Sequence, residues 1–400
     1  MVLIFGAALF VGVLRMPKIP EETGTITTIT VAKDENASPL DYQLLSEKEL
    51  LVLAYDGDKE AAYQLGMLYD YGTRGAEQSF SKALSWYQAA DAANYPKAAC
   101  ALGYMYLNGC GVTQNIDVAE QYFNRAVAFT DMEGYVGLGR VALARDPVDG
   151  EKALDLFNQA NRAGIVDGIY FVGYLAEKGI GLPEPNYPRA LALYQRILNR
   201  YDTDEKLRVP DTYAFDNACV RLGIMYMEGL GVEKNYGTAR EYFTRAANNG
   251  YAMAQYYMGI VYESGRGVPK NYDEALRWFN LAADQDYAPA INQIGYMYFV
   301  GEGVEANFEQ AVYYQKLAAA LGSVKAQVNL GYLYENGFGV VQDFDSALTY
   351  YRMAQTSGYE GAPEAILRVT NALEAKKASV EDIPEGVEAG VLPADDLSVE

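Results

Sequence analysis

Residues 254–283 read AQYYMGIVYESGRGVPKNYDEALRWFNLAA, and the offsets inside this stretch decide the fold. Ala254, Met258, Gly259 and Tyr262 follow one another at four, one and three residues, so a helix turning about 100° per residue carries them on one face. The small residues on that face let a second helix approach closely. Gly265 and Gly267 come next, and glycine supplies the positive φ angles that end a helix and reverse the chain. Asn271 then offers a side chain that accepts from the exposed amides of a first helical turn. Ala275, Trp278-Phe279 and Ala282 follow as the apolar face of that second helix. A pair of this size cannot bury its stripe alone, so it must stack on others like it.

The rest of the chain supplies the others. Gly66, Gly103, Gly139, Gly173, Gly223, Gly259, Gly295 and Gly331 are spaced by 37, 36, 34, 50, 36, 36 and 36 residues. A small residue precedes each by five, as at Ala61, Ala98, Gly134 and Gly168, and tyrosine usually follows by three. The second helix opens on Ser79, Asn115, Asp149, Asn186, Asn235, Asn271, Asn307 or Asp343, all residue types that cap. Alanine stands four residues further on in every copy, from Ala83 to Ala347. Ser46 with Glu49 predicts a capping box for a helix that covers the first pair. Pro363, Ile366, Val369 and Leu373 predict one that closes the last pair and ends at Lys376-Lys377. Repeat three breaks the pattern with Ala142, Arg145 and Pro147 where tyrosine and two glycines belong, and repeat one places Arg74 before Gly75.

The unit A-x-x-x-L-G-x-x-Y-x-x-G-x-G-V, then N-Y-x-x-A-x-x-W-Y-x-x-A-A, runs over about residues 59–360 and resembles the Sel-1-like repeat family, relatives of tetratricopeptide repeats. The resemblance implies an all-α, right-handed superhelical solenoid of eight helix-turn-helix repeats with capping helices. It also implies an adaptor or scaffold, in exported or membrane-attached bacterial proteins and in eukaryotic quality-control complexes. It implies no substrate.

In the tetratricopeptide relatives the face opposite the core lines a concave groove, and here that face is readable. The residue after each repeat glycine gives the row Met67, Tyr104, Arg140, Tyr174, Ile224, Ile260, Tyr296 and Tyr332. Beside it run Asp70, Glu177, Glu228, Glu263 and Glu335, which as carboxylates should stay solvated. Such a channel suits an extended or helical peptide with some basic residues. The competing expectation is that these side chains pack against the next repeat.

Composition narrows the chemistry. Among 400 residues there is no histidine, which excludes Ser-His-Asp and Cys-His catalysis and the usual zinc sites. A net charge of −21 repels phosphate backbones and anionic lipid, so nucleic-acid binding is not expected. Cys100, Cys110 and Cys219 are odd in number and widely spaced, so they form no disulfide framework. The recurring G-x-G follows a helix, not a strand, and reads as a turn instead of a nucleotide loop. Ser79-Phe80-Ser81-Lys82 fits S-x-x-K without its K-T-G or S-D-N companions, and Ser79 is expected to cap a helix. No cofactor or metal is implied.

Residues 1–18 form an apolar segment suited to an export signal or anchor, although Arg15 and Lys18 on its downstream side favour cytoplasmic retention. Residues 19–44 read as a linker, 45–377 as the solenoid and 378–400 as an acidic disordered tail. The expected location is therefore exported or membrane-anchored, periplasmic in a bacterium, with cytoplasmic as the alternative. Extra residues at 201–216 account for the long spacing of 50 and read as a loop without the regular acidic spacing of a calcium site. The expected function is non-enzymatic: a scaffold binding a protein or peptide. The alternatives are a cell-wall or glycan hydrolase using two carboxylates and a structural component of polysaccharide export, which the absence of a lipobox cysteine weakens.

Overall fold

A computed structural model describes residues 41–203 and 213–381. Among them are eighteen α-helices and no strand. The first helices of the eight pairs are α2 (Lys59–Tyr71), α4 (Pro96–Asn108), α6 (Gly134–Ala144), α8 (Val166–Lys178), α10 (Tyr213–Glu228), α12 (Ala252–Ser264), α14 (Ala288–Val300) and α16 (Val324–Asn336). Their partners are α3 (Phe80–Ala92), α5 (Ile116–Ala128), α7 (Gly150–Arg162), α9 (Tyr187–Thr203), α11 (Tyr236–Asn248), α13 (Tyr272–Ala283), α15 (Phe308–Ala320) and α17 (Phe344–Thr356). Helix α1 (Glu47–Tyr55) precedes them and α18 (Ala362–Glu381) follows. The described residues form two compact units, divided between Ala214 and Phe215. Within each unit a first helix packs on its own second helix, and that second helix packs on the next first helix, as in α2·α3·α4 and α12·α13·α14.

The pairs lock through one contact. In seven of the eight pairs the residue four after the second-helix alanine is an aromatic packed against the repeat glycine of the first helix. A Cβ added at Gly259 would sit 2.4 Å from Cε1 of Phe279, and one at Gly66 would sit 2.3 Å from Cδ1 of Tyr87. Phe123, Phe157, Tyr194, Phe243 and Tyr351 occupy the same seat over Gly103, Gly139, Gly173, Gly223 and Gly331. All of these rings are buried. The repeat glycine is therefore absent-side-chain by necessity: its missing Cβ is the floor on which the ring rests. At the turn the reason differs. Gly265 and Gly267 hold φ of 70° and 76°, a left-handed backbone that side chains other than glycine seldom adopt.

Seven of the eight second-helix caps form as expected, with Asn115, Asp149, Asn186, Asn235, Asn271, Asn307 and Asp343 accepting from first-turn amides. Ser79 is the correction. It holds the N-cap backbone position without a capping hydrogen bond, and its hydroxyl lies 3.2 Å from that of Ser81, which competes for it. The Ser46–Glu49 capping box is present. Repeat three does without its glycines because α6 simply stops, with Arg145 extended and reaching back to Asp117 and Glu120 of α5 at 3.0 and 2.5 Å. In repeat one Arg74 takes the positive φ of 52° and donates to the carbonyls of Tyr42 and Leu45, fastening the segment before α1.

Part of the long spacing is helix. With 17 residues α9 outruns the 12 or 13 of the other second helices and buries Tyr201. The remainder, 204–212, lies outside the described residues, as do the expected signal or anchor at 1–18, most of the 19–44 linker, and the tail beyond 381. Helix α18 runs past Lys376-Lys377 to Glu381, because Ala378 continues a favourable helical sequence where a stop was expected. No helix among the described residues is long and apolar enough to cross a membrane.

Candidate protein-interaction face

The two rows expected to line a groove divide sharply. In residues 1–214, Met67, Tyr104 and Tyr174 are half-buried and pack onto the apolar clusters of their own and neighbouring repeats. Tyr104 meets the ring of Phe123 edge-on at 4.9 Å, and the Arg140 guanidinium lies 5.0 Å from the centre of the Tyr104 ring. Arg140, expected to face a partner, is thereby an internal cation–π contact. Tyr174 stacks beside Tyr170 at 6.4 Å. In residues 215–400, Ile260 packs on the core around Phe279 and Ile224 is half-buried. Tyr296 and Tyr332 are different, with 44% and 45% of their surface exposed. Of the whole row, these two are the exposed aromatics.

The acidic row is corrected more strongly. Glu177 was expected to be solvated and is buried, accepting from the Tyr194 hydroxyl at 3.1 Å with Lys178 Nζ at 3.3 Å. Asp70 accepts from the Tyr87 hydroxyl at 3.1 Å. Glu335 accepts from the Tyr351 hydroxyl at 2.8 Å and from Arg368 Nε at 2.7 Å. Glu263 takes Gln293 Nε2 at 2.7 Å. Only Glu228 is exposed in the expected way, 3.9 Å from Arg266. The physical reason is a partner on the second helix. Where the seated aromatic is tyrosine, its hydroxyl needs an acceptor, and the first helix supplies an acid four residues after its glycine.

Charge alone does not reveal that pairing, although the residues carry a signal for it. Position four after the glycine reads Asp70, Leu107, Leu143, Glu177, Met227, Glu263, Phe299 and Glu335. The seated residue reads Tyr87, Phe123, Phe157, Tyr194, Phe243, Phe279, Gln315 and Tyr351. Acid goes with tyrosine and an apolar residue with phenylalanine. Glu263 opposite Phe279 is the exception, and it finds Gln293 instead.

Protonation follows these partners. Burial pushes the Asp70 carboxyl up, against the lowering effect of the Tyr87 hydrogen bond, and burial likewise raises Glu263. The Arg368 hydrogen bonds hold Glu335 below the usual carboxylate range. Burial and the nearby Asp131 carboxylate push the Cys100 thiol up, which suppresses its reactivity. The signs oppose one another. A depressed Glu335 stabilises the fold above about pH 4.3, and that contribution disappears as pH falls through its lower folded value. A raised Asp70 costs stability when ionised, a cost shed as pH falls through its folded value. Arg368→Met should therefore lower the stability of the C-terminal unit by about 1 kcal/mol at neutral pH. The gap from wild type should close as pH falls through the lowered folded value of Glu335. Melts from pH 7 to 3 check this, and a gap that does not change with pH would sink it.

What the fold defines is a class of protein built from stacked helix pairs. The sequence profile of the Sel1 repeat matches residues 59–92, 96–128, 137–165, 166–200, 216–251, 252–287, 288–323 and 324–359, and the chain belongs to that family. The structure is similar to the crystal structure of a Sel1 repeat protein from Oxalobacter formigenes, with a TM-score of 0.50 and 24% identity over 80% of this chain and 90% of that one. Among curated proteins, the chain is 32% identical over 108 residues to the ERAD-associated E3 ubiquitin-protein ligase component HRD3B of Arabidopsis thaliana, covering 27% of this chain and 15% of that protein. It is 34% identical over 134 residues to Protein sel-1 homolog 2 of Homo sapiens, covering 32% of this chain and 18% of that protein. The chain thus spans less than a fifth of the length of these two relatives. Membership of the Sel1 repeat family implies a protein–protein interaction scaffold.

Proposed function

We propose that this chain is a non-catalytic scaffold that holds a protein partner against the exposed first-helix face of its seventh and eighth repeats. The observation that carries the reading is an aromatic patch. Tyr296 and Tyr332 are exposed, and Phe308 is 40% exposed. Phe299 joins them, with ring centroids 5.5 Å from Phe308, 6.1 Å from Tyr332 and 5.8 Å from Phe338. Monomeric surfaces seldom leave clustered aromatics in water, and such clusters mark contact sites. Exposed Glu302, Glu305 and Glu309 lie around Phe308 in the chain, so the fitting partner presents apolar anchors flanked by basic residues. A location outside the cytoplasm, directed by residues 1–18, completes the proposal.

The test compares wild type with Tyr296→Ser/Phe308→Ser/Tyr332→Ser in pull-downs from the native lysate, alongside thermal melts. Specific capture should fall at least tenfold in the triple variant, since aromatic anchors at contact centres dominate binding, while the melting temperature moves little. Capture should also weaken in high salt. A stable triple variant that retains the same captured protein would refute the assignment of the face.

A further inference from the structure

Seven repeats seat an aromatic ring on their glycine, and the seventh in order does not. There the seat is held by Gln315, with a Cβ added at Gly295 falling 2.8 Å from its Nε2. The side chain is 1% exposed. Its Nε2 donates to the carbonyl of Asn292 at 3.0 Å, which sets the orientation of the amide. Its Oε1 is buried and has no hydrogen-bond partner. A cavity of about 70 Å³ opens at this point, bounded by Gly295, Tyr296, Phe299, Gln315, Asn329 and Tyr332. It lies within the exposed aromatic patch described above. Asn329 does not answer Oε1; the bond its Nδ2 makes is to Asn292 Oδ1, at 3.0 Å.

Two independent features thus coincide. One is a slot beside the seat that Gln315 holds where the other repeats hold a ring. The other is a buried carbonyl oxygen left unsatisfied, a state that costs free energy until a donor arrives. We propose that this slot is a specificity pocket for one aromatic side chain carrying a hydrogen-bond donor, a tyrosine or tryptophan of the bound protein. The ring enters between Tyr296 and Tyr332 and its O–H or N–H donates to Gln315 Oε1. Phenylalanine would fill the space and leave the oxygen unpaired, so the pocket discriminates against it. The flanking Tyr296 and Tyr332 rings provide edge and face contacts to the incoming ring. The pocket rests on the proposed binding face and names the side chain which that face recognises.

The probes are p-cresol, indole and toluene, followed by ligand-observed saturation transfer and by the melting temperature of the full chain. Saturable binding of p-cresol and indole in the millimolar range is expected, with toluene weaker by about tenfold because it brings no donor. Gln315→Phe restores the ring that the other repeats carry, and should abolish probe binding while raising the melting temperature. Gln315→Leu keeps a side chain of similar size without the acceptor and should erase the advantage of p-cresol over toluene. The pocket is overturned if wild type binds none of the probes, if Gln315→Phe binds them as wild type does, or if toluene matches p-cresol in wild type. Capture that depends on Tyr332 yet survives Gln315→Phe overturns the pocket and leaves the face standing. Probe binding that obeys Gln315 without any Tyr332-dependent capture leaves the pocket standing and removes the face.

Discussion

Phe279→Ala should destabilise the C-terminal unit by about 3–5 kcal/mol, the usual cost of emptying a fully buried aromatic site. The ring is 0% exposed and rests on Gly259, while its neighbours include Ala290, Ile294 and Met297 of the next first helix. One residue therefore joins a helix to its partner and the pair to the following pair. In a stacked array each repeat depends on its neighbours, so the loss should split a single unfolding transition into steps instead of shifting it whole. The glycine beneath is the complementary probe. Gly259→Ala forces a methyl to within 2.4 Å of the ring, an overpacking that costs about 1–3 kcal/mol. The pair Gly259→Ala with Phe279→Leu should cost less than the sum of its parts, since the smaller side chain vacates the space the methyl needs. Denaturant unfolding monitored by circular dichroism measures all three. Additive costs would show that ring and glycine do not form one lock.

Tyr104→Ala should cost about 3 kcal/mol of stability, as expected for an aromatic wedged into packing. It should leave capture of a partner unchanged under conditions where the variant is folded. The side chain touches Phe123 and carries Arg140 above it, so truncation opens a gap between repeats and strips the guanidinium of its ring. Tyr332→Ala, with 45% of the tyrosine exposed, should cost about 1 kcal/mol or less in stability and act on binding. The contrast separates two residues that occupy the same position of the repeat. Thermal melts and pull-downs on the two variants read it directly. A Tyr104→Ala protein that melts like wild type but loses its partner would return residue 104 to the binding face.

The opposite fates of Tyr104 and Tyr332 mark the limit of reading a repeat by its average. Both stand one residue after the repeat glycine, and one helical period places both on the same side of a helix. What differs is the set of side chains around each ring. Beside Tyr104 stands α6, whose Arg140 reaches back over the ring, whereas Tyr332 stays exposed beside Phe299 and Phe338, which pack on the edge of the core. The acids show a second limit. Their solvation was inferred from charge alone, yet each of Asp70, Glu177 and Glu335 answers a tyrosine hydroxyl that comes 16 or 17 residues later. Position-by-position comparison between the two helices would have exposed that pairing, because acid and tyrosine change together from repeat to repeat.

By itself the sequence determined the eight helix pairs, the glycine turns and seven of the eight capping side chains. Those features depend on spacing, φ angles and first-turn amides, all local in the chain. It also displayed Gln315 where other repeats carry an aromatic. Only tertiary structure decided which tyrosines are buried, which acids are paired and that Gln315 Oε1 has no partner beside an open slot. Each of those depends on which side chain of a neighbouring helix arrives at a given place. Burial and hydrogen bonding are properties of that encounter between helices, and the period of one helix carries no record of it.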